Sequence, residues 1–291
     1  MSDEKRRGLS ASVLKTIALV TMFIDHLGGT LIYEMDNMGM FSFLYGGLSA
    51  HGIIYRVFRI VGRIAFVIFA FLLAEGYDHT TDRKKYTLRL MAGALISEIP
   101  YDLMNGGKTF DIWHQNVFFT LLIGLCTVWV MDSRIIRGLK RGKNFACIGI
   151  ILCGMLLAEL VRCDYGLLGI GLVVAFHLLK KHKLLMLFVG MLQYFAGFII
   201  HNLPNALILY STNLGSMQKG WEMFYRCLEE NLRNYARFVL PDMVGVLAAL
   251  ILVLFYDRSK GRQLPKVFYY VFYPVHMLIL YAALRLFMHF V

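Results

Sequence analysis

The sequence predicts an all-α fold: a polytopic helical bundle embedded in a lipid bilayer, with about nine spans. The amino terminus is expected on the cytoplasmic side and the carboxyl terminus on the exoplasmic side. Three observations carry this reading. Of 291 residues, 58% are hydrophobic and 17% charged, against about 45–50% and about 25% in soluble globular domains. Nine apolar segments approach the length of about 20 residues that a bilayer core demands. Lys and Arg gather in alternate connections, as they do in cytoplasmic loops.

The segments run roughly Val13 to Tyr33, Ile60 to Tyr77, Tyr86 to Leu103, Val117 to Met131 and Phe145 to Val161. Four more follow: Tyr165 to Leu179, Leu184 to Asn202, Phe238 to Tyr256 and Val267 to Phe290. The third is the least apolar, because it carries Arg89, Glu98 and Asp102. The first is too long for a signal peptide, and no small-residue cleavage site follows it. No internal repeat divides the chain, so residues 1–291 read as one transmembrane domain.

Basic residues cluster at Lys5, Arg6 and Arg7, at Arg83, Lys84 and Lys85, and between Arg134 and Lys143. Further clusters are Lys180, Lys181 and Lys183, then Arg258, Lys260, Arg262 and Lys266. The net charge of +11 is therefore mostly a topology signal, and nucleic-acid binding is not needed to explain it. Two longer outer segments remain. Glu34 to Arg59, half apolar with four glycines, suggests a re-entrant hairpin. Trp221, Phe224, Leu228, Leu232 and Tyr235 recur at helical spacing and suggest an amphipathic helix on the outer leaflet.

Five cysteines show no metal-ligand or CxxC spacing. Cys126, Cys147 and Cys153 read as small core residues, whereas Cys163 and Cys227 could meet on an oxidising side. Neither a P-loop nor GxSxG occurs, and no metal is expected. His79, His114 and His182 read as loop residues, His177 and His289 as interfacial ones. Glu75 has lysines nearby to pair with.

Ionisable groups inside a membrane are costly and mark function. His26 lies about 20 Å up the first span, and His276 about 14 Å up the last. Arg63, Glu98, Asn116, Glu159, Asp164 and Asp242 fall toward the outer ends of their helices, with Gln193 central. One polar cavity in the outer half would accommodate them all. Asp25 adjoins His26 in sequence, but neighbouring helical residues diverge by about 100°, so Asp25 should bond to another helix.

Lys15 and His26 are separated by three helical turns and face the same way. That face presents a cation at the cytoplasmic mouth and an imidazole about 16 Å deeper. A ligand with an anionic head and a long arm suits such spacing, and coenzyme A has this shape. Lys15, with Arg83, Lys84, Lys85 or Arg89, would hold phosphates while His26 met the acyl group. Lys15 would equally serve as a simple cytoplasmic anchor. Imidazole, with an unperturbed pKa of about 6.5, takes up a proton near neutral pH.

Several blocks resemble the TraX family of membrane proteins. They are Leu14-Lys15-Thr16-Ile17-Ala18 running to Ile24-Asp25-His26, and Gly62-Arg63-Ile64-Ala65-Phe66 continuing to Phe69-Ala70-Phe71. Lys84-Lys85-Tyr86 through Ser97-Glu98-Ile99-Pro100-Tyr101-Asp102 follows, then Gln115-Asn116 with Phe118-Phe119. Asp164-Tyr165-Gly166 and Phe272-Tyr273-Pro274 with His276 complete the set, in order along almost the whole chain. Val67 departs from the pattern, which has proline there. The family is also similar to the larger membrane acyltransferase superfamily that O-acetylates bacterial surface glycans. There, a basic residue separated from a histidine by ten positions marks the first helix, as Lys15 and His26 do.

The resemblance implies a bacterial cytoplasmic (inner) membrane enzyme that transfers acetyl from cytosolic acetyl-CoA. Its acceptor would be an amine or hydroxyl in or across the membrane: a pilin amino terminus, a glycan, a lipid or a small molecule. His26 would act as base or transient acyl carrier, and Arg63 with Asn116 would stabilise the oxyanion. Glu98 and Asp164 would orient these groups, and His276 would be a second proton carrier. The alternative is a proton-coupled secondary transporter using the same buried His, Asp and Glu residues.

Overall fold

The computed structural model describes residues 8–41, 52–107, 109–196 and 240–290, together with 221–222, 225–226, 229–230 and 232–233. Among the described residues the fold is all-helical, with no strand beyond two isolated bridges. The helices are α1 (Ala11–Asn37), α2 (Ile53–Asp78), α3 (Arg83–Gly106), α4 (Val117–Met131) and α5 (Lys143–Leu160). Then come α6 (Gly166–Leu179), α7 (Lys183–Ala196), α8 (Leu240–Leu254) and α9 (Lys266–Phe290). Four of them, α1, α2, α5 and α9, are long and apolar enough to cross a membrane. The shorter α4, α6, α7 and α8 are also apolar. Such composition in so many helices defines a helical membrane protein.

Three helices, α1, α3 and α4, start where a side chain caps them. Ser10 accepts from Val13 N at 3.4 Å to open α1. Asp82 accepts from Lys85 N at 2.9 Å to open α3, and Asn116 from Phe118 N at 3.0 Å to open α4. These side chains satisfy amide groups that the helix itself leaves without partners. Inside α1, residues Gly28–Ile32 form a π turn directly after His26, a feature often found at functional sites. Thr30 donates its hydroxyl to the His26 carbonyl there at 2.7 Å.

Helix α2 is the hub, packed by α1, α8, α6 and α4. Its contacts are close because two glycines permit them. A Cβ on Gly62 would lie 1.9 Å from Asp25 Oδ1, and one on Gly245 of α8 would lie 2.0 Å from the Ile60 carbonyl oxygen. Small residues at helix contacts let backbones approach where water supplies no hydrophobic push. On the other side of the bundle α9 packs on α3, α3 on α4, and α5 and α6 on α4. The core cluster centres on α2 and α6, where Phe66, Ile68, Ile170, Val173 and Phe176 are buried.

The basic connections meet at one end of this bundle. Leu9 N donates to the Phe255 carbonyl at 2.8 Å, and Ala11 N to the Ser259 carbonyl at 2.8 Å. Lys183 Nζ donates to the Leu254 carbonyl at 2.8 Å, and Lys180 pairs with Asp78. Arg137 binds Asp132 at 2.9 Å.

Several expectations are corrected. The two ends of Glu34 to Arg59 continue α1 and α2, and residues 42–51, on which the expected hairpin depends, lie outside the described set. Cys153 is exposed and Cys147 only half-buried, because α5, which carries both, presents most of its surface outward; Cys126 on α4 is also half-buried. Cys163 is a free, buried thiol. Cys227 and its proposed pairing lie outside the described residues, as do Phe224, Leu228 and Tyr235 of the expected amphipathic helix.

His177 is buried rather than interfacial. It sits edge-on to Tyr77 at 5.5 Å, with Nδ1 3.7 Å from Asp78 and Nε2 3.6 Å from Asp132. Three segments distant in sequence meet there, so nothing local announces it. Glu75 pairs with His79 at 4.0 Å, not with a lysine.

Two predictions follow from this packing. Gly62→Ala drives a methyl into Asp25 Oδ1 and should lower stability by about 1–3 kcal/mol, read as a reduced melting temperature in detergent. Burial pushes the Asp132 carboxyl up, but the Arg137 hydrogen bond and the facing His177 outweigh it and hold it below the ordinary carboxylate range. A carboxylate so held contributes stability that is complete above about pH 4 and lost as pH falls through its folded value. Asp132→Asn should therefore lower the melting temperature at pH 7, with the difference vanishing in strong acid.

Candidate functional site

His26 and Asp25 leave α1 in different directions, as their adjacency in a helix requires. Asp25 turns to α2, where Oδ2 accepts from Arg59 Nη1 at 2.7 Å. Its Oδ1 faces Arg63 Nη2 at 3.9 Å, too long for a hydrogen bond. Arg63 Nε lies 3.5 Å from Asp242 on α8, whose Oδ2 accepts from the Tyr194 hydroxyl at 3.2 Å. Arg63 also lies over the Tyr165 ring at 5.9 Å, and Tyr165 stacks on Phe66 with centroids 3.7 Å apart. Asp164 acts on Arg63 and Arg59 electrostatically. This network ties α1, α2, α7 and α8 together by charge.

His26 turns to α9 instead. Its Nδ1 is 2.6 Å from His276 Nε2, and the rings are nearly parallel, 7° apart at 4.9 Å. His276 Nδ1 is 2.8 Å from the Phe272 carbonyl oxygen. Pro274 interrupts α9 two residues before His276 and removes one backbone donor there. Tyr273 is edge-on to both imidazoles, at 5.9 Å from His26 and 5.7 Å from His276.

Tyr273 also lines a cavity of about 290 Å³. The cavity reaches from Lys15, Tyr86, Arg89 and Tyr269 at the basic end to Met22 and Phe118 at depth. Its walls are mostly apolar and aromatic, and its cations sit at one end. Lys15 Nζ donates to Gln263 at 2.6 Å and lies 4.8 Å above the Tyr269 ring. Arg89 lies 6.0 Å over Tyr86. Such a volume is at the small end for ligand sites, which are typically apolar clefts with a few placed polar groups.

The expected residues thus fall into separate places. Lys15 and Arg89 share the cavity; His26 and His276 do not line it but lie behind Tyr273, which does. Arg63 belongs to the ion network. Arg83 lies over Tyr77 at 4.3 Å, Lys85 pairs with Asp82 at 3.2 Å, and Lys84 points to the exterior; none of the three lines the cavity.

Asn116 is fully engaged: Nδ2 donates to the Ala94 carbonyl at 2.9 Å and to Glu98, while Oδ1 caps α4. It has no donor left for an oxyanion, so its place is in fixing α3 against α4. Glu98 is spent on the same contact through Oε2, leaving Oε1 buried without a partner.

The single outer polar cavity is also corrected. Glu159 accepts from Leu167 N at 2.8 Å at the start of α6, and Gln193 lies against Gly171, away from the network of Asp25 and Arg63. Tyr273 is the site residue that carried no assigned role in the sequence. Its block drew notice, but only the folded contact of α9 with α1 places it between cavity and imidazoles.

Fold and site together define a polytopic helical membrane protein that holds a paired-imidazole centre behind an apolar, cation-mouthed cavity. The chain belongs to the TraX family, whose model, described as "TraX protein", matches residues 10–284. It is similar to the "Probable fimbrial assembly protein FimC, serogroup H1" of Dichelobacter nodosus. The two are 25% identical over 284 residues, covering 94% of this chain and 95% of the relative. No solved structure matches the chain.

The charge network yields a further prediction. Asp25→Ala leaves the neighbouring guanidinium groups of Arg59 and Arg63, one turn apart on α2, without the carboxylate between them, and should cost on the order of 3 kcal/mol. Removing Arg59 as well should restore part of that loss. A double-mutant cycle of melting temperatures reads the coupling; strictly additive losses would mean that the pair is not engaged.

Proposed function

We propose that this chain is a membrane acetyltransferase of the bacterial inner membrane. In this reading the nine helices are nine spans, with the amino terminus and the basic connections in the cytosol and the carboxyl terminus outside. Acetyl-CoA approaches from the cytosol. Lys15 and Arg89 meet its phosphates, and the slender pantetheine arm, rather than the nucleotide, occupies the cavity. The acceptor is an amine or hydroxyl in or beyond the membrane. The fimbrial assembly role in the relative's name favours a pilus protein among the candidates.

The observation that carries this reading is the position of His26. It abuts Tyr273, the deep wall of the one described cavity whose opposite end bears Lys15 and Arg89. A base just behind the wall of a mostly apolar cavity can accept a proton from a nucleophile attacking there. Charge developing there is felt strongly in a low-dielectric setting. Arg63 contributes its field from α2, while Asp25 and Asp242 keep it fixed in place.

The experiment is acetyl transfer from labelled acetyl-CoA by the purified protein in proteoliposomes, offered envelope material from the source cell. Wild type should transfer label, and His26→Ala should lose transfer by about 10²-fold or more while keeping its melting temperature. Acetyl-CoA should also raise the melting temperature of the wild type, since a ligand that binds only the folded state stabilises it. The absence of both transfer and stabilisation would remove the assignment.

A further inference from the structure

Resting on that reading, we infer that His276 is a positioning residue that accepts a hydrogen bond from His26 and so makes Nε2 of His26 the reacting nitrogen. The hydrogen bonds require it. A carbonyl oxygen only accepts, so the 2.8 Å contact from His276 Nδ1 to the Phe272 carbonyl places a proton on Nδ1 of His276. A neutral imidazole carries one ring proton, so Nε2 of His276 keeps its lone pair. That nitrogen lies 2.6 Å from His26 Nδ1, which must therefore be the donor. His26 then holds its own proton on Nδ1, and its only remaining lone pair is on Nε2.

The packing keeps this order from being scrambled. The rings are within 7° of parallel, Phe272 stacks on His276 from the other side at 5.0 Å, and Tyr273 is edge-on to both. Rotating either ring would break a hydrogen bond made by His276, which is buried, and an unmet buried polar group is costly. The adjacent carboxylate of Asp25 is committed to Arg59 and takes no part. His276 thus fills the place that an acid commonly holds beside a catalytic imidazole, setting tautomer and direction. As a neutral acceptor it leaves the resting site without a second negative charge.

The transfer step then balances without any proton moving through His276. As the acceptor nitrogen or oxygen attacks the thioester carbonyl carbon, its proton passes to His26 Nε2. The carbon–sulfur bond breaks, and the sulfur takes the proton from Nε2 to leave as a thiol. His26 returns to its starting tautomer, with Nδ1 still bonded to His276.

Two substitutions separate positioning from proton carriage. His276→Gln keeps a neutral oxygen acceptor of similar reach but cannot carry a proton; it should retain acetyl transfer within about tenfold, with an unchanged pH profile. His276→Phe keeps the ring volume and removes the acceptor, and should lower kcat by about 10²-fold or more with little change in KM. Equal inactivity of two folded variants would overturn the proposal in favour of a proton or acyl carrier, and full activity of both would overturn it too.

A readout independent of catalysis is the nitrogen NMR of ring-labelled histidine in detergent, assigned by comparison with His26→Ala. Protonation at Nδ1 of His26 in the wild type and in His276→Gln is expected; protonation at Nε2 would overturn the assignment even in a protein that transfers no acetyl group. A wild type with the expected tautomer and no transfer would instead count against the acetyltransferase reading alone.

Discussion

The site depends on how α1 lies against α2. Asp25 reaches across to Arg59 at 2.7 Å, and it can do so only because Gly62 leaves its carboxylate room against the α2 backbone. In lipid, a carboxylate without a partner is expensive, so this contact sets the rotation of α1 about its own axis. Once Asp25 is directed at α2, helical geometry turns His26 roughly 100° away, toward α9. The ion pair therefore orients the imidazole without touching it. Arg63 and Asp242 extend the same constraint to α8, which approaches α2 through Gly245.

Helical periodicity carried the sequence reading furthest where a single uninterrupted helix was involved. Lys15 and His26 share a face because the stretch between them is regular α-helix, and the π turn begins only at Gly28. Had that turn fallen between them, the phase would have slipped and the alignment would have been lost. The divergence of Asp25 from His26 was legible for the same reason. Apolar runs likewise located most of the long helices to within a few residues. Helices α1 and α2 extend further than expected, and the expected end of α7 at Asn202 lies outside the described residues. The short helix Arg134–Arg137 had no apolar run to mark it.

What escaped were contacts made by distant segments. His177 gave no local sign of meeting Asp78 and Asp132, since three chain segments converge there. The lysines and arginine that open α3 were grouped with Arg89 by nearness in sequence. Yet Lys85 joins the N-cap Asp82, and Arg83 covers Tyr77, so only Arg89 reaches the cavity. Asn116 looked available because a sequence does not reveal that its amide is already shared between Ala94 and Glu98. Position along each helix was readable, but which polar groups at one level touch one another was not.

The division of charge between the two sides of α1 bears on the chemistry. Every acid near His26 on the α2 side is held by an arginine or lies in an arginine's field, and the α9 side offers only neutral imidazole and aromatic rings. A carboxylate beside His26 would have stabilised an imidazolium in the resting state, when a proton acceptor is needed. The arrangement instead leaves a ring oriented by one hydrogen bond, behind the Tyr273 wall of a mostly apolar cavity. In the proposed reaction, charge would form only as the acceptor attacks, near fixed dipoles and a guanidinium. Separating the ion network that holds the helices from the imidazoles that would react lets a membrane site be both rigid and uncharged until it is used.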